Sequence, residues 1–229
     1  MPITTLTTPN GSVALLSARQ MLAAQGKMFL ATNPTPGTAI AYALKTGYSA
    51  TANGLFSVSN NNPSTGASLY IQRLKLAQTA TAPTGTLVMR AETYTETGIL
   101  AISGAAAAVT PVNVNPAYSN ATGATVTFFS AGAGTVPAAV GTRRLVGLGS
   151  IATGVTVQYD TFTFDFADDG IPGGKVGLTA ARATDPADLV TTMPSLVVAP
   201  GTSAYMNLWW VTAAANTPSF EFALEYAEL

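Results

Sequence analysis

Ser219-Phe220-Glu221-Phe222-Ala223-Leu224-Glu225-Tyr226, near the end of the chain, alternates a large apolar residue with a small or charged one at every step. Successive side chains of an extended strand point to opposite faces. The stretch therefore puts Phe220, Phe222, Leu224 and Tyr226 on a core face and leaves Ser219, Glu221, Ala223 and Glu225 in water. Just upstream, Ala204 to Val211 (AYMNLWWV) is bulky on both faces, which predicts an inner strand covered twice, with Trp209 and Trp210 pointing oppositely. The two tryptophans either complete the core or anchor a partner.

Further β runs are expected at Thr38 to Leu44, Gly54 to Ser59, Ser68 to Ala77, Thr86 to Glu92, Ala124 to Ser130, Arg144 to Ser150, Val155 to Phe166, Lys175 to Thr179 and Ser195 to Val198. Turn chemistry divides them: Asn60 to Pro63 (NNNP), Ala82 to Gly85 (APTG), Ile171 to Gly174 (IPGG) and Ala199 to Gly201 (APG) supply fixed-φ and positive-φ positions. Two strands change phase part-way. Leu69 and Ile71 give way to Leu74 and Leu76, and Tyr159 gives way to Phe162, so a bulge is expected in each, the second near Asp160-Thr161. Long strands that bend are a habit of two-layer proteins. The predicted fold is all-β, a two-sheet antiparallel sandwich, jelly-roll-like, with an N-terminal arm or short helix.

That helix is expected over Ser12 to Gln25 (SVALLSARQMLAAQ), with Ser12 as N-cap and Gly26 at C′. A strand at Val13 to Leu16 within an extended arm is the alternative reading. Asn33 to Gly37 (NPTPG) closes this region, which gives an arm over 1–33 and a sandwich body over 34–229. Within the body, 98–137 holds four consecutive alanines (Ala105 to Ala108), Asn113, Asn115, Asn120 and several glycines, and reads as a loop-rich insertion.

Composition narrows function. The chain has 229 residues, and area scaling has a chain of this size bury roughly 70% of its unfolded surface, so core size is not limiting. Cys and His are both absent, which leaves carboxylates, Lys, Tyr, Ser and Thr as catalytic material. An enzyme is not expected. Charged residues make up only 9% of the chain, and a surface so poor in charge is cheap to desolvate against other proteins. Met1 to Asn10 lacks a basic region and a long apolar run, so no secretory signal is expected. Nor is any apolar stretch long enough to span a bilayer, and no membrane partner is expected.

The search for chemistry finds no motif. Asp165, Asp168, Asp169, Asp185 and Asp188 are the one acidic cluster. Asp168-Asp169-Gly170 resembles part of a calcium loop but lacks ligands at alternate positions and a closing Glu, so no metal is expected. Glu92 with Glu96 would be the carboxylate pair of a glycosidase, yet nothing fixes their geometry, and Glu221 and Glu225 sit on the wet face of the last strand. Gly147-Leu148-Gly149 lacks the rest of a dinucleotide fingerprint. No cofactor is expected.

Charge is unevenly placed. From Met1 to Ala91 there are six basic residues and no acid; from Glu92 to Leu229 there are four basic residues and eleven acidic ones. Opposite-sign halves can attract within a protomer, between neighbours in a ring, or against an acidic partner. Arg19, Lys27 and Lys45 are the candidate docking residues. The basic residues are too sparse, and too far from aromatics, to point to nucleic acid.

Three stretches carry a resemblance: LATNPTPGTAIAY (30–42), NNNPSTGASLYIQRLKL (60–76) and VVAPGTSAYMNLWWVTAAANTPSFEFALEYAEL (197–229). They resemble virion structural proteins of tailed bacteriophages, in particular the β-sandwich proteins that decorate or cement capsids. The likeness spans much of the chain and has no invariant motif, so it transfers no individual residue. It implies a homotrimer on the capsid surface whose other partner is the major capsid protein, with the basic N-terminal portion against the shell. A tail-associated receptor- or glycan-binding module and a self-assembling coat protein are the alternatives.

Overall fold

The computed structural model describes residues 4–7, 13–35, 37–41, 56–79, 87–96, 98, 106–129, 143–153, 160–166, 188–193, 195–210 and 219–229. Along the chain these form β1 (Thr4–Thr7), β2 (Val13–Leu16), α1 (Ala18–Ala24), β3 (Met28–Thr32), β4 (Ile40–Ala41), β5 (Phe56–Asn60), β6 (Leu69–Gln78), β7 (Leu87–Glu96) and β8 (Ala106–Val109). There follow β9 (Val112–Asn113), β10 (Ala124–Phe129), β11 (Arg143–Thr153), β12 (Thr161–Asp165), β13 (Asp188–Thr192), β14 (Leu196–Val198), β15 (Ser203–Trp210) and β16 (Ser219–Glu228).

The fold is the all-β two-sheet sandwich expected. One sheet runs β11-β7-β15-β5-β10-β8; the other runs β13-β12-β6-β16-β3-β9, with β14 alongside β6 and β4 alongside β16. Pairing is antiparallel throughout these sheets except between β12 and β13, which run parallel. The chain passes repeatedly from one sheet to the other, as in a jelly roll. β16 lies inside the second sheet and keeps its alternation: Phe220, Phe222, Leu224 and Tyr226 are buried, and the residues between them are half-buried.

The two inner faces meet in one core. Phe56, Val58, Val126, Phe128, Ala204 and Met206 come from the six-stranded sheet and face Leu74, Leu76, Phe164, Phe220, Phe222 and Leu224 of the other. Phe128 stacks on Phe222 across the gap, Phe29 stacks on Tyr226 at 5.4 Å, and Phe162 meets Phe220 edge-on at 6.2 Å. Each such side chain contributes roughly 1.5–3 kcal/mol relative to exposure.

The phase change in β6 is a bulge. Glu225 faces Arg73 and Tyr226 faces Ile71, so Gln72 is the extra residue, and the buried set moves from Leu69 and Ile71 to Leu74 and Leu76. The bulge sits where the neighbour on the other edge changes from β12, paired up to Arg73, to β14, paired from Ile71. The Gln72 carbonyl accepts from the Phe166 amide at 2.8 Å, which closes the junction. In β12 the pairing runs on regularly to the Asp160 carbonyl, which accepts from the Gln78 amide, so no bulge interrupts it at Asp160-Thr161; Tyr159 lies outside the described residues.

The N-terminal region differs from the expected helix. Val13–Leu16 is a strand paired with β1, and the helix is N-capped by Ser17, not Ser12. Ser17 Oγ accepts from the Gln20 amide, and Gln20 Oε1 accepts from the Ser17 amide, a reciprocal capping box that Ser12 lacks because the residue three on from it is Leu15, which has no side-chain acceptor. Gly26 does occupy C′, at φ +69°. Its amide donates to Ala23 and that of Lys27 to Leu22, the paired bonds of a Schellman turn. A Cβ at Gly26 would collide with the Tyr118 ring.

β3, inside the 1–33 stretch read as an arm, is an integral strand beside β16, so the sheet begins at Met28. The 98–137 insertion is likewise more ordered than expected over its described residues. Three of its alanines start β8, which pairs with β10, and β9 pairs with β3. Pairing partners, not local propensity, decide strand formation there. The expected strands at Lys175 to Thr179 and from Val155 to Tyr159 lie outside the described residues, and so do the side chains of Trp209 and Trp210. No described helix is long and apolar enough to cross a membrane.

Candidate functional site

The outer face of the eight-stranded sheet carries a group of charges, Arg73, Lys75, Asp165, Glu221 and Glu225. Its residues are set by the β16 alternation and by the shifted half of β6, which turns Arg73, Lys75 and Ala77 outward. Across one row, Val112, Leu30, Glu225, Arg73 and Asp165 stand opposite one another on β9, β3, β16, β6 and β12. Arg19 of α1 reaches this row, with its Nη1 3.6 Å from Glu225 Oε2, and Arg73 Nη2 donates to Asp165 Oδ2 at 2.9 Å. The sequence of charges is plus, minus, plus, minus.

The two ion pairs are unequal. Arg19 and Glu225 are about a quarter exposed, where such a pair contributes roughly 0–1 kcal/mol. Asp165 is buried at 6% side-chain exposure and Arg73 is less exposed than Arg19, so this second pair is the better shielded from water.

Beside this row lies a shallow cleft of about 530 Å³, lined by Thr32, Asn33, Lys75, Ala77, Thr161 and Glu221 among others. It offers one ammonium, one carboxylate and small polar groups. That set can hold a polar ligand; among the described residues the lining has no second carboxylate to pair with Glu221 for acid/base chemistry.

Two of the three candidate docking residues, Arg19 and Lys27, fall within the described residues. Arg19 is engaged with Glu225, and its Nε and Nη2 are buried without a hydrogen-bond partner, so it is not a free surface cation. Lys27 is exposed just after the helix. Lys45 lies outside the described residues.

The acidic cluster also divides. Asp165 belongs to the ion pair with Arg73; Asp168, Asp169 and Asp185 lie outside the described residues, and Asp188 opens β13. Among the described residues no group of three or more metal-ligating side chains comes together. Glu225, expected on a wet face, is half-buried and paired with Arg19.

A polar corner at one end of the sandwich was not foreseen. Asn60, fully buried, donates from Nδ2 to the carbonyls of Ala67 and Val198, and its Oδ1 accepts from the Asn62 amide. Glu228 accepts from Asn62 Nδ2 at 2.7 Å, Thr122 Oγ1 at 2.6 Å and the Gly123 amide at 3.1 Å. Thr122 shares a hydrogen bond with the Tyr226 hydroxyl. Burial pushes that phenol well above the ordinary tyrosine range; the Thr122 hydrogen bond draws it back, and the Glu228 charge raises it further. A Cβ at Gly123 would strike the Asn62 amide, which explains a glycine there. The network ties β5, β10, β14 and β16 together, and both carboxylate oxygens of Glu228 have donors within the protein, so its work is fastening.

A second set of asparagines fastens the helix. Asn113 Nδ2 donates to the Gly26 carbonyl and Asn115 Nδ2 to that of Ala24, which gives partners to carbonyls a helix end leaves open. Backbone amides of Asn115 and Ala117 donate in turn to Asn113 Oδ1 and Asn115 Oδ1, so the loop after β9 is held by its own side chains.

No family model, curated protein or solved structure matches this chain.

Proposed function

We propose that this chain is a non-enzymatic structural protein of a virion, a capsid decoration protein that binds the outer surface of a tailed-phage head and stabilises it, working as a homotrimer. The observation that supports the reading best is the N-terminal unit. β1 and β2 form a sheet of their own, joined to the sandwich through a firmly capped helix, in the half of the chain that has basic residues and no acid. Each copy adds contact area at a junction between shell subunits, and symmetry multiplies modest contacts into avidity.

The test is saturable binding of purified protein to empty heads of the virus that encodes it. Deletion of Met1 to Gln25 is expected to abolish attachment while the body keeps its cooperative unfolding. A truncated protein that still decorates heads at full occupancy would refute the reading.

The cleft on the eight-stranded sheet favours a second reading, a tail-associated glycan-binding module, because Thr32, Lys75 and Glu221 offer donors and acceptors to sugar hydroxyls. A glycan array separates the two. Binding there, lost in Glu221→Ala, together with no binding to heads, would favour the glycan module.

A further inference from the structure

We propose that the β1–β2 hairpin of one copy adds to the free edge of β8 in a second copy, extending that copy's six-stranded sheet. The inference rests on the reading of this chain as a self-associating structural protein, and it names the surfaces that associate.

The hairpin needs a partner. Thr4 to Thr7 pair with Leu16 back to Val13, and this two-stranded sheet joins neither layer of the sandwich. A lone two-stranded hairpin is marginal in water because it has no third strand and no packed face. Among the described residues its outer edges pair with no other strand, and no charged residue occurs between Met1 and Ala18 to keep one away.

β8 is the matching surface. It ends the six-stranded sheet, and among the described residues it pairs only with β10, so its other side presents a row of backbone donors and acceptors with no described strand beside it. Proteins normally guard such an edge with charge, yet no charged residue occurs anywhere from Thr97 to Thr142. The other edges are poorer hosts. β11 opens with Arg143-Arg144, β13 opens with Asp188, β4 and β9 are two residues long, and β14 has three residues. β1, β2 and β8 are each four residues long, so a docked strand would satisfy the whole edge. Two uncharged surfaces also meet without desolvating an ion.

One protomer carries both halves of this contact, and they are different surfaces, so the contact is head-to-tail. Such a contact closes into a ring or propagates as a filament. A closed ring of few copies is the outcome compatible with a homotrimer.

The experiment is a complementation measured by light scattering after size exclusion, with circular dichroism to verify folding. The full chain is expected to be oligomeric. Deletion of Met1 to Leu16 removes the hairpin, and Ala108→Lys places a charge on the exposed face of the β8 edge; each alone is expected to weaken self-association by at least about tenfold. Mixing the two variants pairs an intact edge with an intact hairpin and is expected to yield a one-to-one heterodimer. A monomeric full chain, an unchanged oligomer in either variant, or failure of the mixture to associate would each overturn the proposal. Head binding reports separately: if Ala108→Lys abolishes self-association but single copies still attach to heads, the hairpin contact stands apart from attachment. An intact, complementing oligomer that ignores heads would instead overturn the decoration reading alone.

Discussion

β5 and β16 are both interior strands, and they are buried differently. Every residue of β5 from Phe56 to Asn60 is buried, and in its neighbour β15 the run Ser203 to Met206 is buried too, outward-turned Tyr205 included. β16 buries alternate residues and leaves Glu221, Ala223 and Glu225 half-exposed. The outward set around β5 is accordingly small and hydroxylic, namely Ser57, Ser59, Thr127 and Ser203, with Ser59 and Ser203 sharing a buried hydrogen bond. The outward set around β16 holds ion pairs. Around β5 the six-stranded sheet is buried on both faces, while around β16 the eight-stranded sheet keeps a half-exposed outer face that a partner or ligand can reach.

The comparison can be broken most sharply with a matched pair of acids. Ser57→Asp would bury a carboxylate without a partner and is expected to cost at least about 3 kcal/mol, whereas Ala223→Asp, in the cleft beside Lys75, should stay within about 0.5 kcal/mol. Urea denaturation of the two variants measures this, and equal losses would mean the faces are not different. Asp165→Ala comes next. It leaves Arg73 without its buried counter-charge, and a loss of about 3 kcal/mol is expected, near the low end for such pairs because the guanidinium keeps some contact with water.

A pH effect of intermediate size is expected from Tyr226. The unfolded phenol releases its proton near pH 10 while the folded one holds it, so the contribution is fully present below that pH and is lost as pH rises above it, by up to about 1.4 kcal/mol per unit. Tyr226→Phe should flatten the stability profile above pH 10 relative to the parent chain; identical alkaline slopes would rule the group out. Smallest is Arg19→Ala, expected to cost no more than about 1 kcal/mol, because its partner Glu225 stays partly hydrated.

What could be read from the sequence follows from how far apart the deciding residues lie. The β16 alternation and the β6 phase change are local patterns, and both translate directly into buried faces and a bulge. Ser17 was also legible, since Gln20 three residues on completes a capping box, but Ser12 at the head of the apolar run drew the boundary too early. The alanine run of β8 carries no local strand signal; its conformation comes from pairing with β10. The Glu228 corner was out of reach for the same reason, because its donors Asn62, Thr122 and Gly123 lie more than a hundred residues upstream and share no spacing rule with it. The outer row of charges was half legible. Glu225 was placed on the outward face, but only the fold shows that α1 lays Arg19 against it.

The bulge at Gln72 also closes a route to error during folding. A regular alternating strand can slide by two residues against its neighbour and still present the right faces, so such slips are cheap and persist as traps. In β6 the same slide would carry Arg73 into the position where Ile71 is buried. The irregularity thus acts as a key cut into the longest pairing of the sandwich, admitting one alignment and rejecting its nearest counterfeit.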